Sequence, residues 1–484
     1  MENSKLLKSL RHLTESEIEE FRDFTNSPYF NKNKDLSSFL NLIIQENILE
    51  SCALDKKQVL KKLYPSQVYQ ERWLPDLMYG LMNLLEAFLA EEKYKQNSFQ
   101  RKINLMTKVY EKEIDPMING IEKDIELIHS QNQFRDSNYF YESFMIHSER
   151  DFSFRQLGKI SDDENLQNKA DQLDLFYLAQ KLKDSCEMLN RSQIVSANYG
   201  FKMLDSIIPY LFSHPEIYSN HPAINIYLNI YMMLSDDRHE FYFNELNSLI
   251  VAYEPLFSVD ELRSIYGFAQ NYCIRQMNTG NTSFYNSLFD IYKRTLDVGL
   301  VFGDNKNMEW DFKNYVSLGL RLKEYDWTLE MINVFKENLP ESIQNNAYTY
   351  NLANYYYETG DYKKATKLLN SVEFTDIFYS LGAKSMLLKI YYNLEEEESF
   401  YALVSSFGIY IRRNKLISKD KLEIYENLIR FTKKAFLLKT KLPYQRKRDY
   451  YINVESLKQK IIDTQKVANI SWLLEEMGEL AVNQ

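Results

Sequence analysis

At 484 residues the chain exceeds what one ordinary core can bury, so it divides into domains or forms a stacked array. Only 13 glycines and 10 prolines leave too few turn formers for an all-β fold, and long helices follow. A net charge of −10 argues against a general nucleic-acid binder, and no window nears the roughly 18 uninterrupted apolar residues of a membrane span.

The opening "MENSKLLKSLRHLTESEIEEF" lacks the apolar core and cleavage site of a secretory signal. Three scattered cysteines, Cys52, Cys186 and Cys273, fit reduced, buried thiols better than a disulfide framework. A cytoplasmic protein without a membrane association is expected. Thr14 and Glu17 form a capping box at the start of a helix whose apolar face runs through Ile18, Phe21 and Phe24. "NSPYFNKNKD" then breaks the chain. Leu36, Phe39, Leu40 and Ile43 mark a second helix over about 35–48, and further helices are expected near 55–63 and 71–95.

Residues 97–150 are expected to form one or two long helices, broken near "EIDPMING". The polar stretch 158–171 reads as a loop. From there to about 440, helical segments alternate with short polar corners. In "NLANYYYETGDYKKATKLL" a helix over 347–358 meets Gly360, placed where a helix C-terminus favours a left-handed residue. Asp361 caps the next helix, in which Ala365, Leu368, Leu369 and Val372 share one face. The small Ala365 admits a close helix crossing. Segments 386–407, 315–335, 226–250 and 266–292 repeat this plan with decreasing fidelity. Taking Tyr231, Tyr272, Gly319, Tyr356 and Tyr392 as equivalent gives steps of 41, 47, 37 and 36 residues.

On Leu352, Ala353, Tyr356, Gly360, Tyr362 and Ala365, residues 345–377 resemble one tetratricopeptide repeat. They depart from it in Thr349, which stands for the usual early tryptophan, and in the missing closing proline. The chain as a whole is similar to uncharacterised helical-repeat proteins common in Bacteroidetes, through "SPYFNKNKDL", "LLKIYYNLEEEESFYALVSSFGIYIRRNKLI" and "SWLLEEM". The first resemblance implies a solenoid with a partner-binding inner face; the second implies no activity.

Motifs for chemistry are absent. "HEFYF" has no histidine four residues after His239, and His214 and His221 have no Cys or Asp to complete a metal set. "GLVFGD" and "NTGNTS" lack the lysine of a phosphate cradle. No catalytic, metal or cofactor-binding residue is assigned, and no enzyme is expected. Arg430, Lys433, Lys434, Lys439, Lys441, Arg446, Lys447 and Arg448 follow one another without an intervening acid, with Arg412, Arg413 and Lys415 upstream. Such a run either faces solvent or contacts phosphates. A weaker cluster, Lys56, Lys57, Lys61 and Lys62, precedes "YPSQVYQERWLPD", which imitates a helix-turn-helix only loosely because of Pro65 and Pro75.

The expectation is an all-α protein. A helical N-terminal domain over 1–95 and long connecting helices over 96–169 precede a tetratricopeptide-like hairpin solenoid over 170–440. A C-terminal capping region over 441–484 holds one helix at about 454–480, with Leu457, Ile461, Trp472, Leu473 and Met477 on its apolar side. The function expected is that of a scaffold or adaptor gripping a peptide or partner helix on the inner face, through Tyr355, Tyr357 and Tyr391. The alternative is a nucleic-acid-associated regulator using 430–448, through Lys433, Lys434, Lys439, Lys441, Arg446, Lys447 and Arg448. The identity of the partner and the oligomeric state are not encoded in any motif.

Overall fold

The structure is a computed structural model and describes all residues except 1–3, 47, 52–55, 66–71, 157–163, 195–196, 237–238, 303–307, 372–376, 442–446, 465 and 483–484. Among the described residues there is helix and no strand, and the chain is an all-α solenoid of helical hairpins behind a helical N-terminal region. It divides into two compact units, Met1–Ser258 and Val259–Gln484.

The first unit opens with α1 (Lys5–Leu10), α2 (Glu15–Asn26), α3 (Lys34–Gln45), α4 (Ile48–Ser51), α5 (Lys56–Leu63) and α6 (Trp73–Gln96). Their shared core holds Leu7, Phe21, Phe39, Ile43, Leu81 and Phe88, all but sealed from solvent. The expected capping box is formed: the Glu17 amide donates to Thr14 Oγ1 at 3.2 Å, and the Thr14 amide donates to the Glu17 carboxylate at 2.7 Å. The helix-turn-helix imitation falls partly on 66–71, outside the described residues.

Three helices, rather than one or two, fill the next stretch: α7 (Ser98–Glu111), α8 (Asp115–Gln131) and α9 (Ser137–Gln156). Glu113, in the left-handed region at φ 53°, makes the break expected near Pro116. The second break has no proline or glycine to announce it. There the Asn132 side chain accepts from the Phe134 amide at 3.0 Å, and an asparagine turn replaces the usual punctuation. A further correction concerns 158–171. Residues 157–163 lie outside the description, but 164–171 are helical and begin α10 (Glu164–Ile194). Buried Asp151 on α9 pairs with Arg155 of its own helix at 3.0 Å and with Lys169 of α10 at 3.1 Å, which ties that polar segment to α9. The unit continues through α11 (Leu204–Ser213), α12 (Pro215–Ser219), α13 (Pro222–Ser235) and α14 (His239–Tyr253), the last two forming a hairpin.

The second unit is a run of hairpins. α15 (Val259–Asn278) folds back on α16 (Phe284–Asp297), α17 (Met308–Arg321) on α18 (Tyr325–Asn338), α19 (Glu341–Glu358) on α20 (Tyr362–Ser371), and α21 (Ile377–Asn393) on α22 (Glu397–Arg413). First helices also pack on first helices, α17 on α19 and α19 on α21, which is the stacking that a solenoid requires. One device closes these hairpins: Gly280, Lys323, Gly360 and Glu395 all take positive φ just after the first helix. Behind Lys323, the Glu324 amide reaches back to the Gly319 carbonyl at 2.9 Å. Behind Glu395, the Glu396 amide reaches the Tyr391 carbonyl at 3.1 Å. This six-to-one bond, with a left-handed residue inside it, is the Schellman termination. Only two of the four positions are glycine, so only those corners are visible in the sequence.

The expected packing of the 347–369 unit holds. Ala365 is fully buried beside Ala353 and Leu369, Gly360 has φ 82°, and Asp361 accepts from the Lys364 amide at 3.1 Å. Val372 lies outside the described residues. The C-terminal segment is two helices after α23 (Lys419–Lys441), not one: α24 (Lys447–Thr464) and α25 (Ile470–Val482), separated by a turn containing Asn469 at φ 51°. Leu457 and Ile461 of α24, and Leu473 and Met477 of α25, join Leu388, Tyr392, Phe400 and Phe436 in one core. No helix among the described residues is long and apolar enough to cross a membrane.

Candidate functional site

The second unit carries a half-open cavity of about 330 Å³, lined mainly from the first helices of its hairpins. Its lining comes from Lys313 on α17, from Tyr350, Asn354, Tyr357 and Glu358 on α19, from Gly382, Ser385, Met386 and Lys389 on α21, from Tyr425 on α23, and from Asn469. On α19 the residues 350, 354, 357 and 358 recur at helical spacing, and on α21 so do 382, 385, 386 and 389. One stripe of each helix therefore faces the cavity. The glycine is structural. A Cβ at Gly382 would lie 2.6 Å from the Tyr350 hydroxyl oxygen, so only glycine lets that phenol reach the α21 backbone.

The electrostatics are unusual for so exposed a class of side chain. Half-buried Lys389 has its ammonium 5.7 Å from the Tyr357 ring centre and 5.4 Å from that of Trp472 on α25, within the range of cation–π attraction. Burial pulls its pKa down, against the opposing pull of Glu358, Glu475 and Glu476. Burial likewise pushes the Glu358 carboxyl up, with Glu475 adding to it and Lys389 opposing. The Tyr350 phenol is pushed up to about 12, first by burial and then by Tyr425. Each group is thus drawn toward its neutral form by loss of water.

Of the aromatics singled out from the sequence, Tyr357 lines the cavity. Tyr355 lies half-buried against Tyr325 and Tyr356, with ring centres 6.5 and 5.6 Å away. Tyr391 is half-buried between two apolar clusters. Lys313, Tyr350, Asn354, Gly382, Lys389 and Tyr425 are not among the sequence candidates. The available signals are a glycine in mid-helix and a lone lysine inside the apolar "MLLKIYY".

The basic run is divided. Arg430, Lys433, Lys434 and Arg448 are exposed. Lys439 is committed: it donates to the Tyr392 carbonyl at 3.3 Å, sits 4.6 Å over the Tyr392 ring and pairs with Glu395 at 3.8 Å. Upstream, Arg412 pairs with Glu426 at 2.7 Å. Arg446 and the side chains of Lys441 and Lys447 lie outside the described residues. The two candidate histidines take separate partners, His214 bonding the Tyr210 carbonyl at 2.9 Å and His221 meeting the Phe140 ring edge-on at 5.5 Å. Cys186 and Cys273 are buried free thiols, the latter pushed up to about 12 by burial, and Cys52 lies outside the described residues. Comparison of the chain with known protein families, curated proteins and solved structures finds no match.

Proposed function

We propose that the second unit is a protein-interaction module of tetratricopeptide-like kind, acting in the cytoplasm as a scaffold or adaptor. A peptide or partner helix lies along the face built by α17, α19, α21 and α23. The observation that supports this most is the cavity, which is lined from the first helices α17, α19 and α21 and from α23, with tyrosines whose tips are polar. Stacked hairpins coil so that their first helices line a hollow inner surface, and tyrosine is favoured at such surfaces because it offers a large rigid body with a hydrogen-bonding end. Tyr357 would be the central contact, with Tyr355 and Tyr391 flanking it. Affinity purification of the full chain from its native cell, read by mass spectrometry, tests the reading. A partner retained by the parent and lost with Tyr357→Ala supports it; a partner set unchanged by that substitution overturns it.

A second reading, nucleic-acid association through α23, is favoured by one observation. Arg430, Lys433 and Lys434 share a helix face, stand exposed and make no ion pair among the described residues. Binding of this kind weakens steeply with salt. A salt titration of DNA or RNA retention separates it from a peptide groove, which responds less.

A further inference from the structure

The cavity at α17, α19 and α21 presents both signs of charge. Lys389 and Glu358 both line it and, among the described residues, neither makes an ion pair; Lys313 lines it as well. Among the described residues no carboxylate comes within the 4.0 Å of an ion pair with Lys389; Glu358, Glu475 and Glu476 act on it from farther off, and the faces of Tyr357 and Trp472 are its near neighbours. Glu358 has no cation within that distance either. Tyr350, Tyr357, Ser385, Asn354 and Asn469 add polar groups to the lining. The volume, about 330 Å³, lies at the small end of small-molecule sites, roughly 300–1,000 Å³. It admits one residue and no folded element.

An internal peptide residue brings no backbone charge to such a place, whereas a free amino acid brings two of opposite sign. We propose that this cavity binds a small zwitterion of the α-amino-acid class, with its carboxylate on the Lys389 side and its ammonium on the Glu358 side. The ligand gives half-buried Lys389 and rim-placed Glu358 each a counter-charge at contact distance, which is worth most on the less hydrated Lys389 side. Gly382 serves the same site, since it lets the Tyr350 phenol close one wall. The inference does not require the peptide reading. Tyr391 lies outside the cavity lining, so Tyr391→Ala should weaken a partner and leave amino-acid binding intact.

The test is calorimetric titration of the full chain with the twenty amino acids, followed by their N-acetyl and amide derivatives. At least one free amino acid should bind at millimolar concentration or below. Its N-acetyl form, which lacks the cation, and its amide, which lacks the anion, should each bind about tenfold more weakly or worse. Lys389→Met should cost at least about tenfold in affinity with the melting curve retained. If that variant does not fold, Glu358→Gln on the exposed rim gives the same reading. No heat from any amino acid at about 10 mM, blocked derivatives that bind equally well, or full affinity in both variants would overturn the proposal.

Discussion

The phenol of Tyr350 occupies the space that a side chain on Gly382 would need, with the Tyr350 hydroxyl oxygen 2.6 Å and Cε2 2.7 Å from where a Cβ would stand. Glycine in mid-helix normally weakens the helix by about 0.5–1 kcal/mol relative to alanine, so replacing it should help. Here the rigid ring cannot retract, and Gly382→Ala should instead cost about 1–3 kcal/mol in urea unfolding. Adding Tyr350→Ala should recover part of that loss. A variant as stable as the parent would place Tyr350 elsewhere.

The α17–α18 crossing makes a parallel case. A methyl group on Gly319 would run into Thr328 Oγ1 and come within 3.2 Å of the Trp327 ring. One repeat later the sizes are exchanged, with Tyr356 on the first helix and fully buried Ala365 on the second. Gly319→Ala and Ala365→Trp should each destabilise by about 1–3 kcal/mol. Neutral melting curves would mean that the hairpin register is wrong.

At the corners the effect should run the other way. Lys323 and Glu395 hold left-handed backbone at φ 62° and 56°, a conformation that costs L-residues roughly 1–2 kcal/mol and glycine little. Lys323→Gly and Glu395→Gly should therefore stabilise by up to about 1 kcal/mol each. Glu395 gives up only a long pair with half-buried Lys439, at 3.8 Å, and Lys439 keeps its bond to the Tyr392 carbonyl. A loss of stability in both variants would contradict the Schellman assignment.

Stability should also respond to pH through charged groups of the second unit. Burial, and then Glu479, raises the carboxyl of Glu476; burial, and then Glu475, raises that of Glu358. A raised carboxyl holds its proton in the folded state after the unfolded chain has released it. Its stabilisation is complete below the ordinary glutamate value and is lost as pH rises through the window above it. Half-buried Glu476 should carry more of this than exposed Glu358, which water screens. Lys389, lowered by burial, acts near the ordinary lysine value: stability rises with pH through the window below it. Glu476→Gln should flatten the fall in melting temperature as pH rises above the ordinary glutamate value, and Lys389→Met the rise just below the ordinary lysine value. Profiles parallel to that of the parent would show that these groups do not titrate differently on folding.

The helices were legible because their signals are local. The Thr14 and Glu17 box, the spacing of Leu36, Phe39, Leu40 and Ile43, and the Gly360 corner are all set within one or two turns of chain. The breaks at Asn132 and Asn469 were hidden, one made by a side-chain bond and the other by a left-handed asparagine, as were the corners at Lys323 and Glu395. The cavity was out of reach for a different reason. Its lining residues, from Lys313 to Asn469, meet only when successive hairpins stack, and Lys389 has no charged partner in sequence to draw attention to it.

The most direct test of the interaction reading is a photo-crosslinking residue placed at position 357 on α19, compared with position 409 on α22, an exposed site outside the first helices. With the full chain expressed in its native cell, position 357 should yield a discrete partner adduct, and position 409 should not. The same adducts from both positions, or from 409 alone, would contradict an inner-face binding site.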